Sequence, residues 1–137
     1  MNRVAITAPG GPVDAGKLQA GLQFLEARGY SLLLGETLSS REFWTAGSAD
    51  LRAAELERFY CDPQVDLVWA ARGGFGCLHL LPMLDLPRMA QQSTRLLGHS
   101  DITVLHLALL AENGNSISTL MPAVELAAEV DEMSLSS

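Results

Sequence analysis

Short, uninterrupted apolar runs alternate along this chain with segments of helical periodicity. The runs cover residues 4–7, 31–34, 66–71 and 94–97, and residues 117–120 are a candidate fifth run. Parallel strands buried on both faces have this continuous apolar character, and each pair needs a crossover connection such as a helix. The alternation therefore predicts an α/β fold: a mostly parallel sheet of about five strands with helices on both faces, Rossmann-like or flavodoxin-like in three layers.

Capping and stop signals locate the helices between these runs. Asp14 is placed to cap a helix that stops at Gly29, and Ser48 to cap a helix over residues 49–60. A short helix is predicted over residues 77–84. The last helix, residues 101–111, is apolar on nearly every face and is therefore predicted to be buried.

The composition and charge of the chain argue against several classes of function. The chain has 137 residues and a net charge of −7, with no basic stripe, so a nucleic-acid partner is not expected. No secretory signal and no span of membrane length is evident, so we expect a cytoplasmic protein whose two cysteines are free thiols. The histidines lack metal-ligand spacing, and no metal or cofactor is expected.

Three loops leave the carboxyl ends of the predicted strands. They cover residues 9–12, 72–76 and 98–101, and two of them are rich in glycine. In open parallel sheets, ligands bind beyond the carboxyl ends of the strands. We therefore expect the chemistry of this protein where these three loops meet.

Ser100 is the strongest candidate for a reactive group. Gly98 ends an apolar run, and Ser100 and Asp101 open the following helix, which places a hydroxyl at a sharp strand-to-helix turn. Unpaired N–H groups at a helix start favour negative charge, as a serine nucleophile beside a nascent oxyanion requires. The simpler alternative is that Ser100 or Asp101 caps the helix. The general Gly-x-Ser-x-Gly pattern is not matched, because Ile102 replaces its second glycine.

The other candidates are more ambiguous. The glycine-rich segment 72–76 lets a backbone approach a ligand closely, but it equally suits a tight turn. Arg72 is suited to bind a carboxylate or to pair with an acid nearby. His106 is interpreted as a core histidine with a satisfied ring, and Cys77 as a small buried hydrophobe.

Taken together, these segments resemble the LD-carboxypeptidase family of serine peptidases, which includes murein tetrapeptide carboxypeptidases and microcin C self-immunity peptidases. The matching stretches run over about residues 4–122. They are Ala8-Pro9, Thr45-Ala46-Gly47-Ser48, Asp62-Pro63-x-Val65-Asp66, Ala71-Arg72-Gly73-Gly74-Phe75-Gly76 and Gly98-His99-Ser100-Asp101-Ile102-Thr103-x-Leu105-His106. The Arg-Gly-Gly-aromatic-Gly and Gly-x-Ser-Asp-Ile-Thr blocks are specific in combination.

The resemblance implies a role for each site residue. Ser100 would be the nucleophile, and the backbone N–H groups of Asp101 and Gly74 would form the oxyanion hole. The substrate would be a peptide cut between an L-centre and a terminal D-amino acid, as in peptidoglycan recycling. Four other residues of the two blocks would contact that peptide: Arg72, Gly73, Phe75 and His99.

The resemblance also implies a division of labour between domains. Residues 1–122 would form the nucleophile domain and residues 123–137 a C-terminal tail. The Glu and His that complete the triad in this family come from a second, C-terminal domain, and a C-terminal domain acting in trans is a possible partner. We therefore expect this chain alone to be weak or inactive as a hydrolase.

Two alternatives remain open at this point. A non-catalytic, truncated module would bind peptide or self-associate, and homo-oligomers are expected because a missing domain uncovers apolar surface. A nucleotide-binding or flavodoxin-like domain is the less favoured alternative, since the acidic ribose partner and the phosphate-binding lysine are lacking.

Overall fold

Four parallel strands form one sheet in the order β2-β1-β3-β4. The structure, a computed structural model, describes residues 3–42, 44–74, 76–98, 100–114 and 124. The strands are β1 (Arg3–Thr7), β2 (Ser31–Leu34), β3 (Leu67–Ala70) and β4 (Arg95–Leu97). The helices are α1 (Ala15–Ala27), α2 (Ala49–Tyr60), α3 (Leu86–Ala90) and α4 (Thr103–Ala111), with 3₁₀ segments at Glu36–Ser39, Cys77–Met83 and Ser100–Ile102.

Strand β1 lies at the centre of the topology. Val4 pairs with Leu32 of β2 on one side and with Leu67 of β3 on the other. This order is that of flavodoxin-like sheets, in which the strand order reverses between β1 and β3 and ligands bind at that switch point. The predicted parallel α/β fold is confirmed. The predicted strand at 117–120 lies outside the described residues.

Helices cover both faces of the sheet, as predicted. Val4 and Ile6 of β1 face one side, where they share a core with Leu22 and Leu25 of α1. The other side carries Ala5, Val68 and Leu96 of strands β1, β3 and β4. They share a core there with residues of α2, α3 and α4, namely Leu56, Phe59, Met89, Leu105 and Leu109. Val124, the one described residue beyond 114, is buried against Gly21 of α1.

Both predicted helix caps are present. Asp14 accepts a hydrogen bond from the Lys17 backbone N–H at 2.9 Å, and Ser48 accepts one from Leu51 at 3.1 Å. Each bond satisfies a donor that the first helical turn would otherwise leave unpaired. These local signals explain why α1 and α2 begin where the sequence predicted.

Two predictions about the later helices need correction. The segment predicted as a helix over 77–84 is a 3₁₀ turn with Pro82 inside it, and the short α3 that follows was missed. Helix α3 begins at an Asp85 cap with a proline in its first turn, and its five residues are too few to show a helical period.

Helix α4 is only partly buried, contrary to the prediction from its composition. Leu105, His106 and Leu109 are buried, whereas Leu107 and Leu110 are 62% and 55% exposed. One side of α4 packs into the core with Leu96, and the other side is left uncovered by the residues described. Nowhere in the described part of the chain is a helix both long enough and apolar enough to cross a membrane.

Candidate active site

The three loops at the carboxyl ends of the strands meet, as predicted. The Gly11 N–H donates to the Gly73 carbonyl at 2.8 Å, which joins the loop after β1 to the glycine-rich loop after β3. The Cys77 N–H donates to the Asp101 carboxylate at 2.9 Å, which joins the end of the glycine-rich loop to the turn after β4. The meeting point therefore lies at the switch point of the sheet.

Glycine is required at this junction because the backbones approach too closely for a side chain. A Cβ atom at Gly10 would overlap the Gly73 carbonyl oxygen and lie 2.9 Å from Asp101 Oδ2. A Cβ at Gly74 would lie 2.7 Å from the Gly11 Cα, and Gly74 has a φ of +81°. The glycine-rich segment is therefore more than a tight turn, since its glycines also permit contact between loops.

Ser100 occupies a strained backbone position with its side chain exposed. Its φ is +61°, a left-handed conformation that is uncommon and costly for a residue other than glycine. Ser100 follows β4 by three residues and opens the 3₁₀ turn that leads into α4. The predicted sharp strand-to-helix turn is confirmed, and strain of this kind is typical of nucleophile turns.

Neither Ser100 nor Asp101 is the N-cap residue of α4. The N-cap residue of α4 is Ile102, which makes no side-chain cap bond. The Asp101 carboxylate instead binds the Cys77 N–H on another loop. The 3₁₀ turn that Ser100 opens runs directly into α4, whose positive end favours negative charge near it.

Arg52 of α2 is a site residue that the sequence did not reveal. It is 3% exposed, and its guanidinium donates to the carbonyls of Gly47 at 3.0 Å, Pro9 at 2.8 Å and Gly76 at 3.1 Å. Burial lowers the pKa of Arg52, and the nearby carboxylates of Asp101 and Glu42 oppose that shift. One buried cation thus holds three loops together.

Glu55 lies one turn further along the same face of α2 and was also missed. Its carboxylate accepts hydrogen bonds from the hydroxyls of Thr7 and Thr37 and from the Thr37 N–H at 3.2 Å. This network anchors the carboxyl end of β1 to α2. Helical spacing places Arg52 and Glu55 on one face with buried Leu56, and this was the available signal.

The structure places the two described histidines and Cys77 in different environments. His106 is buried with its Nε2 3.3 Å from the Gly98 carbonyl, and burial lowers its pKa, so the core interpretation is confirmed. His79 is exposed. Burial raises the pKa of the Cys77 thiol, and the neighbouring Asp101 carboxylate raises it further. Both cysteines are free.

The other predicted substrate-binding residues are only partly covered by the structure. Arg72 is exposed and donates from Nη1 to the Pro12 carbonyl at 2.7 Å, so it braces the loop after β1. Gly73 is buried between the loops. Phe75 and His99 lie outside the described residues.

A cleft of about 270 Å³ borders the glycine-rich loop. Two of its lining residues, Thr45 and Arg52, lie against Gly76, so the cleft reaches the end of that loop. Trp44, which is 78% exposed, stands at its side. The full lining comprises Glu42, Trp44, Thr45, Gly47, Ser48, Ala49, Arg52 and His79.

Comparison with known proteins identifies a family. The model of the LD-carboxypeptidase N-terminal domain matches residues 4–120. The murein tetrapeptide carboxypeptidase of Pseudomonas aeruginosa is 39% identical over 104 residues, which are 75% of this chain and 34% of that protein. The crystal structure of muramoyltetrapeptide carboxypeptidase from Oxalobacter formigenes is 33% identical with a TM-score of 0.76, over 84% of this chain and 38% of that one.

The fold extends to more distant structures. The microcin self-immunity protein MccF, solved with glutamyl sulfamoyl guanosine, superposes with a TM-score of 0.83 at 20% identity, over 99% of this chain and 42% of that one. At this identity the likeness concerns the fold alone. The chain spans about a third of the length of the curated relatives that it matches.

Proposed function

The chain belongs to the family of LD-carboxypeptidase N-terminal domains, and from that premise we propose that it carries the nucleophile of a serine-type LD-carboxypeptidase. The proposed reaction is hydrolysis of the amide between an L-centre and a terminal D-amino acid, as in a muropeptide tetrapeptide. The Ser100 Oγ attacks the carbonyl carbon and the D-amino acid leaves. Water then releases the remaining peptide from the acyl-enzyme.

The strained, exposed turn at Ser100 is the observation that carries this proposal. A hydroxyl held at φ +61°, in the turn that leads into α4, is exposed to a substrate and near the positive end of that helix. The proposed oxyanion donors are the N–H groups of Asp101 and Gly74, which belong to loops in contact with each other. Each such donor contributes on the order of 3 kcal/mol to transition-state stabilisation.

The substrate is proposed to lie across the glycine-rich loop. Arg72, Gly73, Phe75 and His99 belong to the two blocks that border Ser100 and are proposed to contact the peptide. The cleft beside Trp44 offers room for the part of the peptide remote from the scissile bond, since its wall includes residues that touch Gly76.

The base that activates Ser100 is proposed to come from outside residues 1–122. The described histidines lie in other surroundings, since His106 faces the Gly98 carbonyl and His79 lines the cleft. The triad Glu and His would be supplied by a C-terminal domain, in the same protein or in trans. A serine site without its base retains roughly 10³–10⁴-fold acceleration over water, so this chain alone should be weak.

A chimera tests this proposal directly. The 137-residue chain is joined to the remaining two thirds of the Pseudomonas aeruginosa murein tetrapeptide carboxypeptidase, and release of the D-amino acid from an L,D-tetrapeptide is measured by chromatography. We expect release by the chimera and not by the chain alone. Ser100→Ala in the chimera should lower the rate at least about 10³-fold, whereas Ser31→Ala on β2 should leave it unchanged.

The outcomes separate the proposal from its rival. A chimera that works equally well with Ser100→Ala would refute the nucleophile assignment. A folded chimera that binds the tetrapeptide without cleaving it, by calorimetry, would instead favour a non-catalytic binding module. Ser100-dependent cleavage by the chain alone, at the chimera's rate, would contradict the proposal that the base comes from another domain.

A further inference from the structure

We propose that the Asp101 side chain is a positioning residue that clamps the Gly76–Cys77 peptide against the turn of Ser100 and so sets the spacing of the two oxyanion donors. This inference rests on the proposed function, because the donors belong to that site. It adds a role for the Asp101 carboxylate, which the proposed mechanism uses only through its backbone N–H.

One peptide unit is held from both ends. The carbonyl of Gly76 accepts from the Arg52 guanidinium at 3.1 Å, and the N–H of the same peptide, on Cys77, donates to Asp101 Oδ2 at 2.9 Å. Hydrogen bonds to ionised groups are shorter and stronger than those between neutral groups. A cation and an anion therefore fix the orientation of this peptide.

The clamp connects the loops that carry the proposed donors. Cys77 directly follows the glycine-rich loop that contains Gly74, and Asp101 directly follows Ser100. The Asp101 carboxylate also packs on Gly10, where a Cβ would lie 2.9 Å from Oδ2. Since all three loops converge on this carboxylate, its removal would free the glycine-rich loop to move relative to Ser100.

The positive charge of Arg52 interacts with the negative charge of Asp101 near the nucleophile. A carboxylate one residue from the nucleophile would oppose the negative charge that develops in the transition state. The charges of Arg52 and Asp101 interact across the clamped peptide, and Arg52 makes two further bonds that keep it in place, to Gly47 and Pro9. The positive charge of Arg52 thus offsets part of the negative charge of Asp101.

Amide hydrogen exchange on the 137-residue chain tests the clamp without any need for activity. In Asp101→Ala the Cys77 N–H should exchange at least about tenfold faster than in the wild type, because it has lost its acceptor. Asp101→Asn should preserve most of the protection, since its amide oxygen can still accept. Asp62→Ala is the matched control: it removes a 2.8 Å bond to the Gln64 N–H and should change Gln64 exchange without changing Cys77.

Two conservative variants distinguish a clamp, which needs the hydrogen-bond acceptor of Asp101 in place, from a role that needs only its negative charge. Asp101→Asn keeps the acceptor and loses the charge, whereas Asp101→Glu keeps the charge and moves the acceptor. The clamp predicts that the Cys77 N–H is protected from exchange in Asp101→Asn and unprotected in Asp101→Glu. The opposite result would overturn the proposal. If Asp101→Ala does not fold, these two variants still test the clamp. Cys77 exchange that is unchanged in both Asp101→Ala and Asp101→Glu would also contradict it.

A kinetic readout in the chimera links the clamp to catalysis. We expect Asp101→Ala to lower kcat about tenfold or more with KM nearly unchanged, because oxyanion donors act in the transition state. Asp101→Asn should recover most of kcat. A rise in KM alone would show that the side chain serves substrate binding and would contradict the positioning role. An inactive chimera would contradict the proposed function. The hydrogen-exchange experiment would still test whether Asp101 holds the Cys77 N–H, because it does not depend on activity.

Discussion

Gly10 and Gly73 lie so close together that a single methyl group at Gly10 would overlap the Gly73 carbonyl oxygen. The neighbouring Gly11 N–H donates to that same carbonyl at 2.8 Å, so the two loops are joined at backbone level. This contact brings the loop after β1 against the loop after β3, and the Asp101 carboxylate lies beside the same face of Gly10, with Oδ2 2.9 Å from the position of that methyl group. The floor of the candidate site is therefore made of backbone.

Gly10→Ala should destabilise the protein and disturb the site together. The obstructing atom belongs to the backbone and cannot rotate away, so we expect a loss of about 1–3 kcal/mol in the free energy of unfolding, measured by urea denaturation. Gly16→Ala is the control: it adds a methyl in the open first turns of α1 and should stabilise by up to about 1 kcal/mol. Equal effects of the two changes would contradict the close contact.

Arg52→Met should be among the most destabilising single changes in α2. It leaves three carbonyls without their donor and the Asp101 carboxylate without the facing cation, for a loss of at least about 3 kcal/mol. Arg52→Lys should recover only part of it, because an ammonium lacks the planar fork. Arg58→Met, exposed on the same helix, should change the stability by less than about 0.5 kcal/mol in the same urea titration.

Ser100→Gly and Ser100→Ala should differ in stability although both remove the hydroxyl. At φ +61° alanine keeps the strain of the left-handed backbone, whereas glycine relieves it. We expect the glycine variant to be more stable than the alanine variant by about 1 kcal/mol, from the midpoints of thermal and urea unfolding. A more stable alanine variant would mean that Ser100 is not held in the left-handed region.

His106 should make the protein less stable in mild acid. Burial lowers the pKa of His106 in the folded protein below its ordinary value of about 6.5. The unfolded chain then binds a proton that the folded protein does not, so this contribution to stability is complete above that value and is lost as the pH falls below it.

The measurement is the slope of unfolding free energy between pH 7 and pH 5. The contribution of one histidine is limited to about 1.4 kcal/mol per pH unit. His106→Gln can still donate to the Gly98 carbonyl and should show a shallower slope than the wild type. Carboxylates titrate in both proteins, so the difference between the two slopes is the quantity of interest, and identical slopes would exclude His106 as its source.

Tyr60 should make the protein less stable at high pH. Burial, with a smaller contribution from Cys61, raises the pKa of Tyr60 to about 12 in the folded protein. Between about pH 10 and pH 12 the unfolded tyrosine loses its proton while the folded one keeps it, so stability falls as the pH rises through this window. Tyr60→Phe should flatten that part of the urea-stability profile, and an unchanged profile would contradict the prediction.

Local signals were sufficient for most of the elements. Helix α2 begins after Ser48 and ends at Tyr60 as predicted, because a capping serine precedes it and Asp62-Pro63 follows it. The strands were found from their apolar runs, and their parallel direction followed from the alternation with helices. The turn at Ser100 was also predicted, because glycine, strand end and helix start are adjacent in sequence.

The errors arose where the environment, rather than the sequence, decides the outcome. The apolar composition of α4 predicts burial, but Leu107 points to a side that no described element covers. Arg52 and Glu55 are charged residues in a helix rich in charge, and only the helical position relative to Leu56 hints at their burial. Composition alone does not reveal which charged residues have buried partners.

The sequence by itself determined the α/β architecture, the caps of α1 and α2 and the position of Ser100 between a strand and a helix, because these depend on residues close together in the chain. Only the tertiary structure decided that Gly10, Gly73 and Asp101 converge and that Arg52 and Asp101 hold opposite ends of one peptide. Those contacts join residues far apart in sequence, and their partners are mostly backbone atoms, which every residue carries and no sequence pattern distinguishes.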